Sequence, residues 1–271
     1  MKKNFEFVKN PSTGKWVILA PKRAKRPTLT QGTEPVCPFC PGHEHMTPPE
    51  TFRIGKGGKD TSGWQIRIFP NKFPFAPIHE VIVDSPEHDK SFFEHEPSWI
   101  AKLFQVYKDR FNFWKDDSQV VIFYNFGAKA AASLPHPHAQ LVVIPKDIQM
   151  DVPMSISPEN IIHENDLFTV FIPQASEWPY EIWFLPKQRG RLFGDITKGE
   201  IDDLAQLFHK VLHRLEKSQG EKFPFNFHFY HGGDWYLRLI PRNRTQGGFE
   251  LATGINIHSS HPTLAAKELS W

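Results

Sequence analysis

Apolar and polar residues alternate from Asn4 to Ala20 on either side of Pro11-Ser12-Thr13-Gly14, which predicts a β-hairpin. Residues 28–63 are rich in Pro, Gly and Thr and predict a long structured loop, of the length that usually carries a job or an internal staple. A pattern then appears that recurs roughly a hundred residues later. Its first copy opens with a strand, His79-Glu80-Val81-Ile82-Val83-Asp84-Ser85-Pro86. A helix follows, with Ile100, Leu103, Phe104, Tyr107 and Phe111 at three- and four-residue steps. Val120–Tyr124 and Gln140–Pro145 close it as strands. The second copy opens with Tyr180–Pro186, continues in a helix through Ile201, Leu204, Leu207, Phe208, Val211, Leu212 and Leu215, and closes with Asn226–Tyr230 and Tyr236–Pro241. Thr197 and Glu200 have the spacing of a capping box at the start of the second helix. Each copy buries its helix on one sheet face. The pattern therefore predicts an α+β fold made by internal duplication, an extended antiparallel sheet with packed helices, divided into a first half over 1–150 and a second over 151–271.

The chain has 271 residues, 39% of them hydrophobic, enough for a sizeable core. No run approaches the roughly 18 apolar residues of a membrane span. The opening residues, Met1 to Glu6, lack the apolar stretch of a secretory signal, so the expectation is a soluble, cytoplasmic protein without a membrane partner. Two cysteines cannot make a disulfide scaffold, and a net charge of +2 argues against a dedicated nucleic-acid binder.

The strongest chemical signal is Ser133-Leu134-Pro135-His136-Pro137-His138-Ala139-Gln140. Two histidines one apart on extended chain face the same way, and the prolines before them keep that chain extended. The small-residue stretch upstream, Asn125 to Ala132, lets backbone N–H groups approach a phosphate. Laying Gln140–Pro145 on Tyr236–Pro241 puts His136 and His138 on Gly232 and Asp234, so only the first half carries the pair. Cys37-Pro38-Phe39-Cys40 is a half zinc site, a redox dithiol or neither. The redox reading needs a helix from the first cysteine, which Pro41-Gly42 spoils; a zinc needs two more ligands, for which His88 and His136 are candidates.

These motifs together resemble the galactose-1-phosphate uridylyltransferase family of the histidine-triad superfamily, on the side of its shorter bacterial and ADP-glucose phosphorylase-like members. The resemblance rests on Asn10–Ile18, Pro21–Pro27, Cys37–Gly42, Asn71-Lys72-Phe73-Pro74, Ser85–His88, His136–Gln140, Pro179–Trp183 and Gly247–Glu250. It implies two tandem histidine-triad-like halves. It implies a structural zinc on Cys37, Cys40, His88 and His136. It implies His138 as a nucleophile that takes a nucleotidyl group, Gln140 and Ser133 as holders of phosphoryl oxygens with Asn125 nearby, Arg23 and Arg26 as phosphate contacts, and Asn71 and Phe73 as the base and ribose site. A neutral imidazole is a competent nucleophile and a good leaving group as a phosphoramidate. The implied partners are a nucleotide sugar and a sugar phosphate, and a homodimer is compatible with the resemblance. The implied activity is ping-pong nucleotidyl transfer between UDP-glucose and galactose 1-phosphate. The alternatives are an ADP-sugar phosphorylase or adenylyltransferase on the same scaffold, a hydrolase of dinucleoside polyphosphates, and a non-catalytic nucleotide-binding module. The second half of the resembled enzymes carries a histidine cluster for another metal. Trp235–Pro241 has no histidine, so no second metal is expected on that strand, and His228 and His231 read as ordinary polar residues beside the sheet.

Overall fold

In a computed structural model of the chain, residues 5–25, 36–116, 118–150, 152, 157–231 and 233–271 are described. The side chains of Lys25 and His231 are outside that description, as are Arg26 and Gly232 altogether. Among the described residues the strands are β1 (Glu6–Lys9), β2 (Trp16–Leu19), β3 (Phe52–Gly55), β4 (Trp64–Pro70), β5 (Ile78–Val83), β6 (Ser118–Phe126), β7 (His138–Pro145), β8 (Ile161–Glu164), β9 (Phe168–Phe171), β10 (Ile182–Pro186), β11 (Phe225–His231) and β12 (Trp235–Pro241). The α-helices are α1 (Pro97–Trp114), α2 (Lys198–Gln219), α3 (Gly248–Thr253) and α4 (Pro262–Leu269). The fold is α+β.

Two compact units share the chain: residues 1–91, 110–122 and 133–153 form one, and 92–109, 123–132 and 154–271 the other. The division cuts through α1 and β6. In the first unit β1 and β2 make the hairpin, with Glu6 opposite Leu19 and Gly14 closing the turn at φ 71°. Its sheet order is β3-β4-β5-β7-β6, and the second unit has β8-β9-β10-β12-β11, with the last strand of each copy inserted beside the first. Every strand pair whose register is defined in the two units is antiparallel. The same strand order in both units is what a duplicated unit requires.

The predicted long loop over 28–63 contains β3, which pairs with β4 through Phe52 and Ile68. Gly55 ends it at φ 128°, and a Cβ there would sit 2.6 Å from the Gly63 carbonyl oxygen, so only glycine fits. The staple is Arg67, 1% exposed, whose guanidinium reaches Glu50 (2.9 Å), the Thr47 hydroxyl (2.8 Å) and Asp60 (2.9 Å). Glu44 adds a second tie, accepting from Gly42 N–H (2.9 Å) and the Trp64 indole (2.8 Å).

In the second unit Thr197 and Glu200 form the reciprocal cap of α2, the Thr197 N–H donating to Glu200 at 2.7 Å. Gly220 ends the helix at φ 89°. Its apolar stripe packs on the sheet through Phe208, which meets Phe227 at 5.3 Å and Phe184 at 5.9 Å. The edge-on and tilted ring contacts explain the sequence's heavy use of Phe.

Candidate functional site

The first unit gathers most of the implied residues. The loop after Val36 folds Cys37 and Cys40 toward each other and toward two imidazoles. Cys37 Sγ lies 3.6 Å from His136 Nδ1, and Cys40 Sγ lies 3.6 Å from the same nitrogen and 3.3 Å from His88 Nδ1. All four ligand atoms fall within 4.8 Å of one another. A sulfur and a nitrogen bonded tetrahedrally to one zinc stand roughly 3.5 Å apart, so the donor set fits that ion. The tautomer fits as well. His136 donates from Nε2 to the Ser85 carbonyl at 2.9 Å, leaving the Nδ1 lone pair aimed at the sulfurs. Burial pushes His136 down to about 4, helped by His88 and His138, which keeps it neutral and able to ligate. Burial pushes the Cys37 thiol up to about 12, with Cys40 adding to the effect.

Two residues on, His138 opens β7. Its Nδ1 donates to the His136 carbonyl at 2.9 Å, so Nε2 carries the lone pair. Phe39, between the two cysteines, touches both histidines with its ring, 5.1 Å from His138 and 6.1 Å from His136. Both imidazoles therefore look to one side of the chain. Pro137 O accepts from Asp84 N at 3.3 Å, which ties this extended stretch to the end of β5.

A second line of contacts runs from the hairpin side. Arg23 donates to Phe73 O at 2.8 Å and lies over the Phe75 ring at 4.7 Å. Burial lowers its pKa, yet a guanidinium stays charged in proteins. Phe73 N donates to Asn71 Oδ1 at 2.8 Å, and Asn71 Nδ2 lies 3.1 Å from His79 Nε2. The same His79 nitrogen is 2.9 Å from Gln140 Oε1. Arg23, Asn71, Phe73 and Gln140 are thus joined into one network through His79, a buried residue the sequence reading passed over. The available signal was an imidazole that alternates with Val81 and Val83 on one face of a strand; Phe39, equally unnoticed, sat inside the Cys-x-x-Cys run.

Between these lines lies a cavity of about 340 Å³, walled by Phe39, Phe69, Phe73 and Leu134, with Ser133, Asn71 and His138 also on its surface. Mostly apolar walls with a few converging polar groups are the usual makeup of a small-ligand site. Asn125 is placed differently: it belongs to the second unit, where its Oδ1 accepts from Asn226 Nδ2 at 2.7 Å. Arg26 lies outside the described residues.

On the second unit's last strand, Arg238 pairs with the buried Glu181 at 2.7 Å. His228 faces Arg238 across the strand pair, and burial with that cation pushes its pKa down to about 3. Gly232, one of the two positions matched to the histidine pair, is outside the described residues; the other, Asp234, is ion-paired with Arg189. No helix among the described residues is long and apolar enough to cross a membrane.

No family model matches the chain. It is 27% identical to an ADP-glucose phosphorylase of Arabidopsis thaliana, over 97% of this chain and 91% of that protein. It is 26% identical to a galactose-1-phosphate uridylyltransferase of Thermotoga maritima, over 82% of this chain and 79% of that one. Among solved structures, the Arabidopsis thaliana ADP-glucose phosphorylase with bound ADP-glucose superposes with a TM-score of 0.75 at 26% identity, covering 98% of both chains. The chain is thus similar over 97% of its length to an ADP-glucose phosphorylase and over 82% of it to a galactose-1-phosphate uridylyltransferase, and it is an enzyme.

Proposed function

We propose that the chain transfers a nucleoside monophosphate from a nucleotide sugar to a phosphate-bearing acceptor, by way of a nucleotidyl group on His138. The observation that carries this is the fixed tautomer: with Nδ1 committed to the His136 carbonyl, Nε2 offers its lone pair beside the cavity. In the first half-reaction Nε2 attacks the α-phosphorus. An N–P bond forms, the P–O bond to the sugar phosphate breaks, and sugar 1-phosphate leaves with that electron pair. In the second, an acceptor phosphate oxygen attacks the same phosphorus and the imidazole leaves. Catalysis of this kind rests on placement and spread charge. Gln140, fixed by His79, supplies an amide for the phosphoryl oxygens, and the apolar walls suit a base and ribose. Ser133 and Arg23 complete the polar side.

Cys37, Cys40, His88 and His136 would hold a zinc whose contribution is structural, since four protein ligands leave no open position. Its effect on the chemistry passes through the His136 carbonyl, the acceptor that orients His138.

Adenylyl transfer from an ADP-sugar to inorganic phosphate is the reading we favour. Its support is the ADP-glucose phosphorylase likeness, which extends over 97% of this chain against 82% for the uridylyltransferase of Thermotoga maritima. Exchange between UDP-glucose and galactose 1-phosphate is the second reading, supported by that uridylyltransferase likeness. The test is incubation with ADP-glucose or UDP-glucose labelled at the α-phosphate, without acceptor. One of them should leave an acid-labile, base-stable label on the wild type and none on His138→Asn. A chase with phosphate or galactose 1-phosphate then names the acceptor. A wild type that takes no label from either substrate, while still binding it, turns the reading into a nucleotide-binding module; a labelled His138→Asn moves the nucleophile elsewhere.

A further inference from the structure

Away from the site described above, α2 carries His209 and His213, one helical turn apart and so on one face of the helix. Their Nε2 atoms lie 3.1 Å from each other. His213 Nδ1 donates to the Glu216 carboxylate at 2.8 Å, so its Nε2 carries a lone pair, and the proton between the rings belongs to His209. Both rings are half-buried. Glu96, just ahead of α1 in the same unit, acts on His209 electrostatically.

We propose that His209 and His213 form a second metal site, for a divalent transition ion of the zinc, copper and nickel class. Two nitrogens 3.1 Å apart, each about 2.0–2.1 Å from one ion, subtend roughly 100° there, an angle open to tetrahedral and octahedral ions alike. Imidazole pairs suit that group of metals. A histidine whose second nitrogen is held by a carboxylate is the usual arrangement of a metal ligand, because the outer bond fixes the ring and raises its basicity. Glu216 plays that part for His213. To accept the ion His209 need only carry its proton on Nδ1, leaving both Nε2 lone pairs free for the metal. Burial lowers the His209 pKa, with His213 adding to the effect, which keeps the ring neutral. Water would fill the remaining positions. The ion would then clip one turn of α2 to the next, a structural rather than catalytic role.

The test uses the full chain without an affinity tag, dialysed against Zn²⁺ from micromolar to sub-millimolar concentration, with bound metal counted by mass spectrometry. Wild type should bind one more zinc per chain than His209→Gln or His213→Gln, and Glu216→Gln should bind it about 10–100-fold more weakly. Because the readout is the difference between wild type and variant, it stands whether or not the Cys37/Cys40/His88/His136 set is filled. Added zinc should also raise Tm further in wild type than in the two histidine variants, whereas a histidine pair that only packs the helix would leave the zinc-dependent rise equal in all three. Equal zinc stoichiometry in wild type and both histidine variants overturns the proposal.

Discussion

Replacing Glu181 by leucine should destabilise the second unit by about 4 kcal/mol or more. Glu181 is 1% exposed and holds several groups at once. It faces Arg238 through two contacts, 2.7 Å to Nε and 2.9 Å to Nη2, and accepts from the Trp183 indole at 2.6 Å and from Trp178 N at 3.3 Å. Burial works against the Arg238 charge, but Glu181 outweighs it and raises the guanidinium pKa. Removing one partner of a buried ion pair typically costs about 3–5 kcal/mol, because the other charge is left in a poor medium. The remaining carboxylate near Arg238, Glu177, is 59% exposed and replaces little of that. The orphaned indole N–H adds about 1–3 kcal/mol.

Glu181→Leu combined with Arg238→Met removes the unpaired charge and leaves mainly the indole penalty, so the double variant should be more stable than Glu181→Leu alone by at least about 2 kcal/mol. Urea unfolding followed by far-UV circular dichroism and tryptophan fluorescence reads this directly. The single variant should lower the midpoint by about 1–2 M, and the double variant should recover half or more of it. A single variant within about 0.3 M of wild type, or a double variant no better than the single, would refute the assignment of this stability to the pair.

Chelation should lower Tm and open Cys37 and Cys40 to thiol reagents, and Cys37→Ser should do the same without chelator; metal-replete protein carrying no zinc would contradict the four-ligand set. His79→Leu should slow nucleotidylation of His138 by about 10-fold or more with little change in nucleotide affinity, and His79→Gln should restore part of the rate, since it keeps a hydrogen-bonding partner for Gln140. Equal rates in both variants would remove His79 from the positioning network. Glu200 gives a pH test. Burial pushes its carboxyl up, but Arg191 and Thr197 outweigh that and hold it below the usual range. A lowered folded pKa gives stability above the unfolded value that is lost as pH falls through the folded one, so the Tm gap between wild type and Glu200→Gln should shrink below roughly pH 4. A gap that widens in acid would reverse the sign.

Much of this was readable along the chain. The capping box of α2 lies in four consecutive residues, and the strands flanking both helices show as apolar runs or as apolar–polar alternation. What escaped was built by distant pairing. β3 is a four-residue strand in a Pro- and Gly-rich stretch, and it exists because β4 offers it an edge. His79 acquires a role from the register of β5 on β7, which sets its neighbour Val81 opposite Gln140. No local pattern in Ile78–Val83 encodes that. The resemblance implies Asn125 near the phosphate-holding residues, while its partner in the structure, Asn226, lies 101 residues on, where no local pattern points to it.

The registers also sharpen how the halves differ, and they carry a last prediction. Glu80 and Glu181 are not counterparts by register. His79 lies opposite Val142, and Trp183 lies opposite Arg238. With Pro241 laid on Pro145, Arg238 falls on Val142, so the counterpart of His79 is Trp183 and that of Gln140 is Tyr236. In the first unit those two positions hold a hydrogen-bonded imidazole and amide, on the sheet face where Val81 and His138 line the cavity. In the second they hold two rings stacked at 4.4 Å and 4°. Trp183 is 6% exposed and Tyr236 1%, so that face is filled by aromatic packing. The position of His138 is taken by Asp234, which is engaged by Arg189. An anionic side chain bound to a cation cannot act as a neutral nitrogen nucleophile, and a filled face leaves no room for a nucleotide. Labelling with the correct nucleotide sugar should therefore saturate at one nucleotidyl group per chain, and Asp234→Asn should leave that number unchanged. A stoichiometry of two, or a label that Asp234→Asn removes, would mean that the second half still carries the chemistry its packing argues it has lost.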